Sequence, residues 1–296
     1  MKTTTVLDTL TTGADYLARH GVASPRLNME HLVAHVLGCN RMQLYLDFDR
    51  PLTEGQLTPL RQLLKRRSQR EPLQHLLGSV EFLGRGFKTD RRALIPRPET
   101  ETLVERLLKD AADQGEPPRQ VLDMGAGSGV IGLTLAAEWG SQGTTVTLVD
   151  VSPEALDLAR ENAAALGLPD AGAEPGSLRF IQGDLWSAIE SGGEFDLLVA
   201  NLPYVADADL DRAEPELAHD PRLALAGGGA DGTGVITRFL DGAASHARPG
   251  ARLALEIAMD QAAAVIALAE ARGWISVESV DDLEGRPRFV FATRPA

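Results

Sequence analysis

The sequence predicts an α/β protein in which a small N-terminal helical bundle precedes a larger domain built on a seven-stranded, mostly parallel sheet. Two patterns support this prediction. Apolar residues recur at helical spacing up to about residue 70, whereas beyond Pro98 short apolar runs alternate with longer helical patterns. The chain has 296 residues, which is enough for two domains that each bury a core.

The N-terminal domain is predicted to span residues 1–78. Its apolar residues follow the period of an α-helix, and Gly21 and Gly38 stand where helices are expected to end. Ser24 followed by Pro25 is typical of a helix start. This region therefore predicts several short helices that pack as a bundle.

A β-hairpin is predicted within residues 79–93, which connect the two domains. Val80–Leu83 and Phe87–Thr89 have the extended pattern of short strands, and Gly84–Gly86 between them contains two glycines that suit a turn. The second domain is predicted to span residues 94–296.

Seven short apolar runs in the second domain predict the strands of its sheet. Ligands of such sheets bind at the carboxyl ends of the strands, so functional residues are expected directly after them. Gly115–Pro118 and Ala171–Gly176 are predicted to be loops. The predicted strands are residues 119–123, 144–150, 178–183, 195–200, 251–257, 274–280 and 287–293.

The net charge of −13 is divided unevenly along the chain. Up to Arg97 there are 15 Lys and Arg against 9 Asp and Glu, a net charge of +6, which leaves 14 against 33, or −19, for the remainder. Phosphate binding needs clustered basic residues, so direct nucleic-acid binding is not expected. The basic stretch Lys65–Arg67 with Arg70 is interpreted as a solvated helix face, with a docking surface for an acidic or RNA-associated partner as the alternative.

Several classes of function are not expected from this composition. The single cysteine, Cys39, excludes an intramolecular disulfide, and its apolar surroundings favour a buried thiol. His31 and His35 are interpreted as bundle residues, and no metal site is predicted. The sequence has no uncharged apolar run of about 18 residues and no apolar signal segment, so we expect a cytoplasmic protein without membrane contact.

The strongest local pattern is a glycine-rich segment after the first predicted strand of the sheet. Asp123 is followed by Gly125, Gly127 and Gly129, and a helical pattern begins at Val130. Glycines allow a tight turn and a close approach of the backbone to a ligand, although a purely structural strand-to-helix turn is the alternative. The spacing differs from the Gly-x-Gly-x-x-Gly pattern of dinucleotide sites.

Asp150 supports the interpretation of this segment as a ligand site. It ends the next predicted strand, about 20 residues after the glycines, where a carboxylate can accept the hydroxyl hydrogens of a ribose. The glycine-rich segment and Asp150 together predict an adenosine-type ligand.

The glycine-rich segment resembles the first motif of class I methyltransferases, in which this loop wraps the amino-acid part of S-adenosylmethionine. The resemblance implies a Rossmann-like seven-stranded sheet and S-adenosylmethionine as cofactor. It also implies that Asp184 and Leu185, at the end of the third strand, hold the adenine, with a helix cap as the alternative for Asp184. The residues implied to bind the cofactor are Asp123, Gly125, Ala126, Gly127, Ser128, Gly129, Asp150, Asp184, Leu185 and Asn201.

A second motif, Asn201-Leu202-Pro203-Tyr204, follows the fourth predicted strand. An amide or adenine nitrogen is a poor nucleophile because its lone pair is delocalised, so it must be aligned with the methyl group that it receives. The side-chain oxygen of Asn201 and a nearby backbone carbonyl can accept its two hydrogens, and Tyr204 can stack on the planar group. A turn with a buried tyrosine is the alternative.

The run Ala93–Glu101, which reads Ala-Leu-Ile-Pro-Arg-Pro-Glu-Thr-Glu, resembles the signature of the release factor glutamine methyltransferases, the PrmC/HemK family. A well-started helix accounts for part of this run, because Pro98 suits the first helical position. The resemblance extends over nearly the whole chain: the helical domain, the hairpin, the glycine-rich segment, Asp150–Leu156, Asn201–Tyr204, Asp220–Leu225 and Gly285–Arg288.

By this resemblance the substrate is the glutamine in the Gly-Gly-Gln loop of class I peptide chain release factors, methylated on its side-chain nitrogen. The N-terminal domain would recognise the release factor as protein partner. The residues implied to bind the substrate and catalyse the transfer are Asn201, Leu202, Pro203 and Tyr204, with the carbonyl of Leu202 as the second acceptor.

Two positions depart from the family pattern. Leu202 stands where proline is more usual, which keeps the backbone acceptor but loses rigidity, and Asp220 stands where glutamate is usual. The motif Asn-Leu-Pro-Tyr also resembles that of adenine dimethylases of ribosomal RNA. Adenine-N6 methylation of RNA or DNA, glutamine methylation of a ribosomal protein, and a non-enzymatic cofactor-binding module are therefore the alternatives.

Overall fold

The computed structural model describes residues 4–168, 176–189, 195–212 and 214–296. The loop predicted at Ala171–Gly176 lies, except for its last residue, outside the described residues. By their contacts the described residues divide into two compact units. Unit 1 contains the chain as far as Ser79 together with Glu214–His219, and unit 2 contains Val80–Ala213 and Asp220–Ala296.

Unit 1 forms, among its described residues, the predicted helical bundle. Its helices are α1 (Val6–Arg19), α2 (Pro25–Leu37), α3 (Arg41–Leu46), α4 (Glu54–Ser68) and α5 (Leu73–Leu77). Local capping explains where they begin and end. Thr5 and Asp8 form a reciprocal capping box at α1, and Pro25 occupies the first turn of α2. Gly38 ends α2 with a φ of +64°, a conformation that favours glycine.

The core of unit 1 lies between α1, α2 and α4. Leu10 and Leu32 are fully buried there, and each contributes about 2 kcal/mol relative to an exposed side chain. Helices α1 and α2 pack closely because Gly13 has no side chain: a Cβ at Gly13 would lie 2.5 Å from the sulfur of Met29. The helical period of the apolar residues therefore identifies this core correctly.

The basic stretch at the end of α4 is not a simple solvated helix face. Arg67 is only 5% exposed. Its guanidinium donates hydrogen bonds to Asn28 Oδ1 at 2.7 Å, the Glu71 carbonyl at 3.1 Å and Glu216 Oε1 at 3.0 Å. Arg70 donates two more to the Glu216 carboxylate, at 2.8 and 2.6 Å. The interpretation from charge alone is wrong for Arg67, because its acidic partner lies 149 residues away in the sequence.

The predicted hairpin forms a two-stranded sheet of β1 (Ser79–Phe82) and β2 (Arg85–Lys88). The connecting residues are Leu83 and Gly84, whose φ angles are +46° and +73°. Positive φ at both positions matches the twist of a short hairpin connection. The turn therefore begins one residue before the predicted Gly84–Gly86.

Unit 2 is built on a seven-stranded sheet in the order β5-β4-β3-β6-β7-β9-β8. Strand β9 is antiparallel to both of its neighbours, and the other pairings are parallel. All seven predicted strands are present, and the largest difference is that β7 begins four residues earlier than predicted. The strands are β3 (Gln120–Met124), β4 (Thr145–Asp150), β5 (Leu178–Gln182), β6 (Phe195–Ala200), β7 (Ala247–Glu256), β8 (Ile275–Asp281) and β9 (Pro287–Thr293).

Two apolar clusters cover the two faces of this sheet. Val121 and Leu122, adjacent in β3, contribute to different clusters, because successive side chains of a strand point to opposite faces. Burial on both faces is the usual state of a parallel sheet. The helices of unit 2 are α6 (Pro98–Gln114), α7 (Val130–Trp139), α8 (Pro153–Ala165), α9 (Gly234–His246) and α10 (Ala262–Glu270).

The strand order reverses at β3, which lies between β4 and β6. Met124, the last residue of β3, pairs in register with Val149 of β4 and Ala200 of β6. The carboxyl ends of these three strands therefore meet, and in open α/β sheets such a reversal creates the crevice where ligands bind. Asp150 ends β4, and the glycine-rich segment and Asn201 follow β3 and β6.

Candidate active site

The glycine-rich segment turns sharply after β3. Gly125, Gly127 and Gly129 have φ angles of +73°, +56° and +84°, which lie in the left-handed region that favours glycine. The Gly125 amide donates to the Val149 carbonyl at 2.8 Å and ties the turn to β4. A Cβ at Gly125 would lie 2.9 Å from Leu202 Cδ2, so this position requires glycine for space as well as for φ.

Asp150, the last residue of β4, holds the glycine-rich segment in place. Its Oδ2 accepts a hydrogen bond from the Gly127 amide at 2.8 Å, and its Oδ1 accepts one from the Ser152 amide at 2.9 Å. Burial raises the pKa of this carboxyl group, while the backbone hydrogen bonds lower it. The Val151 amide also donates to this carboxylate, and since two carboxylate oxygens offer about four lone-pair sites, acceptor capacity for a ligand hydroxyl remains.

A cleft opens over these strand ends, with about 1130 Å³ of empty space that includes space open to solvent. This is enough for a nucleoside-sized ligand beside an acceptor side chain. The predicted site residues that line it are Gly125, Ala126, Gly127, Ser128, Asp150, Asp184, Leu185, Asn201, Leu202 and Pro203.

Asp123 lies behind the loop and does not line the cleft. It is 1% exposed, and its Oδ2 accepts a hydrogen bond from the Gly132 amide of α7 at 2.8 Å. Burial raises its pKa to about 7, against the hydrogen bond from Gly132, and the nearby charge of Asp150 raises it further. Gly129 likewise lies outside the lining, at the start of α7. The structure therefore places both residues as supports of the loop.

Asp184 and Leu185 lie at the end of β5. Leu185 is 9% exposed and packs in the apolar cluster of the sheet. The Asp184 carboxylate accepts a hydrogen bond from Arg238 of α9 at 2.6 Å, and both side chains are more than half exposed. An exposed ion pair of this kind is weak. Asp184 also begins a short 3-10 helix, so the capping and ligand interpretations are compatible.

Asn201 follows β6 and lines the cleft. Its side-chain nitrogen, Nδ2, donates to the hydroxyl oxygen of Thr100 at 3.1 Å. The Thr100 hydroxyl in turn donates to Glu256 Oε2 at 2.7 Å. Thr100 and Glu256 are 2% and 1% exposed, so the amide of Asn201 is connected to a buried polar pair.

The other residues of the acceptor motif differ in their surroundings. Leu202 is 3% exposed and packs beside Gly125. Tyr204 does not line the cleft, and its carbonyl accepts a hydrogen bond from Gln261 Nε2 at 3.0 Å. Burial raises the pKa of the Tyr204 hydroxyl to about 12, and the charge of Glu256 adds to this. The stacking role of Tyr204 stays a prediction.

Asp220 ties its loop to the run that precedes α6. Its side chain is 1% exposed, and its oxygens accept hydrogen bonds from the Ile95 amide at 3.4 Å and from Arg97 at 2.9 Å. Burial raises the pKa of this carboxyl group to about 6, and the charge of Arg97 opposes the shift. An aspartate is therefore long enough to reach Arg97 from this position.

Comparison with known proteins identifies the family. Two family models match the chain: the PrmC N-terminal domain over residues 8–78 and the methyltransferase small domain over residues 98–242. The release factor glutamine methyltransferase of Deinococcus radiodurans is 40% identical over 287 residues, which cover 97% of this chain and 98% of that protein. The chain belongs to the release factor glutamine methyltransferase family. The protein of the same name from Chlorobaculum tepidum is 41% identical over 76% of each chain.

A solved structure supports the fold of this family member. A 16S rRNA methyltransferase from T. thermophilus, solved with AdoMet and guanosine, has a TM-score of 0.51 and 21% sequence identity, and the match covers 73% of this chain and 49% of that one. Family membership and this fold confirm the predicted Rossmann-like methyltransferase architecture, the enzyme class and S-adenosylmethionine as the cofactor.

The residues at the cleft fit the cofactor of this family. Asp150 offers a carboxylate with remaining acceptor capacity for a ribose hydroxyl, and Gly125 and Gly127 line the cleft without a side chain. The cleft lining is mainly apolar and includes Leu185, for which contact with the adenine stays a prediction. S-adenosylmethionine, when bound, supplies an electrophilic methyl group on a positively charged sulfur. This sulfur is the leaving group when the methyl group is transferred.

Local sequence patterns do not identify two residues next to Asn201: Thr100, which lines the cleft, and Glu256, which is buried and does not line it. Thr100 belongs to the Ala93–Glu101 run, whose pattern indicates a family signature and a helix start. Glu256 ends β7 and offers only the local signal of an acidic residue at the carboxyl end of a buried strand. Both lie next to Asn201 only after folding.

Within the described ranges, no group of three or more His, Cys, Asp and Glu side chains is placed to hold a metal ion. In the same part of the chain, no helix has the length and apolar character to cross a bilayer.

Replacing Asp150 by alanine is expected to weaken the binding of S-adenosylmethionine by about 10- to 100-fold, because hydrogen bonds to a charged acceptor are lost and Gly127 loses its anchor. Titration calorimetry with S-adenosylmethionine measures this directly. Glu154→Ala is the matched control, since Glu154 is an exposed carboxylate four residues away. Unchanged affinity in Asp150→Ala would remove the ribose assignment.

Proposed function

We propose that this protein transfers the methyl group of S-adenosylmethionine to the side-chain amide nitrogen of the glutamine in the Gly-Gly-Gln loop of class I peptide chain release factors. One observation carries the proposal: the chain is 40% identical, along nearly its whole length, to a protein named release factor glutamine methyltransferase. The position of Asn201 in the cleft, after β6 and near the glycine-rich segment, supports an amide as acceptor.

The chemistry requires alignment more than activation by a strong base. The nitrogen of an amide has a delocalised lone pair, so the reaction depends on holding it in line with the methyl carbon. Asn201 Oδ1 and the carbonyl of Leu202 are the proposed acceptors for its two N–H bonds. The nitrogen forms a bond to the methyl carbon as the bond from that carbon to the sulfonium sulfur breaks, with the electron pair left on the sulfur. The nitrogen releases one of its two protons to solvent, which restores a neutral amide.

The domains have separate proposed roles. Residues 1–78 recognise the release factor, residues 79–93 form the linker, and residues 94–296 bind the cofactor and carry out the transfer. The net charge of +6 up to Arg97 suits an acidic protein partner. The proposed location is the cytoplasm, where release factors act, without membrane contact or direct nucleic-acid binding.

Transfer of radiolabelled methyl from S-adenosylmethionine to a purified class I release factor tests the proposal. A release factor in which the loop glutamine is replaced by alanine is the control. We expect label on the first protein and none on the second. Label on a ribosomal protein or on RNA instead would support one of the two alternative methylation reactions and overturn the substrate assignment.

A further inference from the structure

The side-chain amide of Asn201 has two ends of nearly equal shape, an oxygen and a nitrogen. Only the oxygen can accept a hydrogen from the substrate amide, whereas the nitrogen would place one N–H against another. The proposed reaction therefore depends on which way this amide is turned. Shape and packing alone distinguish the two orientations poorly, so a neighbouring hydrogen-bond partner has to select one.

Thr100 and Glu256 provide such a selection. An ionised carboxylate accepts hydrogen bonds and donates none, so the single hydrogen of the Thr100 hydroxyl is directed at Glu256 Oε2, 2.7 Å away. The remaining lone pairs of the hydroxyl can then only accept. Asn201 must therefore present Nδ2 to Thr100, at 3.1 Å, and its hydrogen bond to the Glu256 carboxylate requires the same end, which leaves Oδ1 as the other end of the amide.

We propose that Thr100 and Glu256 are positioning residues that orient the Asn201 amide, so that its oxygen and not its nitrogen meets the acceptor nitrogen of the substrate. The inference rests on the proposed function, because it explains how the acceptor side of that site is kept in one orientation. Neither residue is assigned a bond to the substrate. Thr100 lies in the first turn of α6, Asn201 follows β6 and Glu256 ends β7. Three separate parts of the chain therefore supply these hydrogen bonds.

The ionisation of Glu256 makes the orientation sensitive to pH. Burial raises the pKa of Glu256 to about 7, against the hydrogen bonds from Thr100 and Asn201 and the charge of Arg288, while Glu99 raises it further. These groups come from α6, β9 and the segment after β6. The Tyr204 hydroxyl also faces this carboxylate but stays protonated near neutral pH, since its own pKa is about 12.

Protonation of Glu256 allows the donor and acceptor roles in these hydrogen bonds to reverse. A protonated carboxyl group can donate to Thr100, whose hydroxyl is then free to donate to Asn201 Oδ1. The amide can turn over, and its nitrogen then meets the substrate. Because the orienting form is the ionised one, methyl transfer is expected to fall as the pH drops through about 7.

Thr100→Val and Thr100→Ser form the matched pair that tests this inference. Valine keeps the shape of threonine but has no hydroxyl, whereas serine keeps the hydroxyl. We expect kcat for release factor methylation to fall about 10- to 100-fold in Thr100→Val, since misalignment of a reacting group has effects of this size. The KM for the release factor and the affinity for S-adenosylmethionine should stay unchanged, and Thr100→Ser should retain most of kcat.

Glu256→Gln tests the pH dependence with a side chain of the same shape. Wild-type kcat, measured with saturating S-adenosylmethionine from about pH 6 to about pH 8.5, should fall at the acidic end, and the variant should show a lower and flat profile. The pH profile of Glu256→Gln also tests the inference if Thr100→Val does not fold. Wild-type kcat in folded Thr100→Val, equal losses of kcat and cofactor affinity, or an unchanged acidic fall in Glu256→Gln would each overturn the inference.

The wild-type protein separates this inference from the proposed function. If the wild-type protein does not methylate the release factor, the proposed function fails. If it does and the variants behave like it, only the positioning role of Thr100 and Glu256 fails.

Discussion

Asn201→Ala is expected to reduce methyl transfer to the release factor by about 10²- to 10³-fold or more, the range found when one preorganised hydrogen-bonding group is removed from an active site. The variant loses the Oδ1 acceptor that aligns the substrate nitrogen. Its carbonyl partner at Leu202 belongs to the backbone and stays in place. Single-turnover transfer of labelled methyl, at saturating cofactor and release factor, measures the loss.

Cofactor binding should stay largely intact in Asn201→Ala, although Asn201 is among the residues implied to bind the cofactor, because the glycine-rich segment and Asp150 do not depend on this side chain for their hydrogen bonds. Calorimetric titration with S-adenosylmethionine is therefore the companion measurement. A comparable loss of transfer and of cofactor affinity would show that Asn201 supports the cofactor and would count against its role as acceptor.

Glu216→Ala is expected to lower the stability of unit 1 by about 2 to 3 kcal/mol, less than for a fully buried ion pair because the Glu216 side chain keeps 21% exposure. The substitution leaves the guanidinium of Arg67, 7% exposed, without its carboxylate. Burial raises the pKa of Glu216, but the hydrogen bonds from Arg70 and Arg67 outweigh it and lower the pKa overall. The stabilisation is therefore lost as the pH falls through the lowered pKa.

Hydrogen exchange of the α2 and α4 amides reports on unit 1 directly. The three tryptophans, Trp139, Trp186 and Trp274, lie in unit 2, so tryptophan fluorescence during denaturation reports on the other unit. Glu214→Ala is the control, because it removes an exposed negative charge two residues away. Equal exchange rates in Glu216→Ala and Glu214→Ala would mean that the Arg67 pair contributes nothing to stability.

Much of the fold could be predicted because its signals are local. The seven strands are short apolar runs, the bundle helices show a helical period, and Gly125 and Gly127 mark backbone that turns with positive φ. Strand ends are where ligands of such a sheet bind, and most of the site residues predicted from the strand ends line the cleft. Asp123 and Gly129 were included by motif, and their support of α7 depends on packing that the motif does not express.

The remaining features depend on pairs that are distant in the sequence. Thr100 and Glu256 are 156 residues apart, and neither residue type at its own position indicates the other. A run of basic residues likewise predicts an exposed face unless the chain supplies a carboxylate from elsewhere, as Glu216 does for Arg67. Tertiary packing determines which of these distant residues come into contact, and neither apolar periodicity nor helix and strand propensity predicts such contacts.

The assignment of Glu214–His219 to unit 1 limits how this protein can be divided and recombined. The chain passes between the units three times, at residues 79–80, 213–214 and 219–220, so unit 1 is discontinuous in the gene. A fragment that ends at Ser79 would carry Arg67 and Arg70 without their shared carboxylate. Exchange of unit 1 between relatives would therefore have to transplant two segments together, and a single crossover point would separate Arg67 and Arg70 from Glu216.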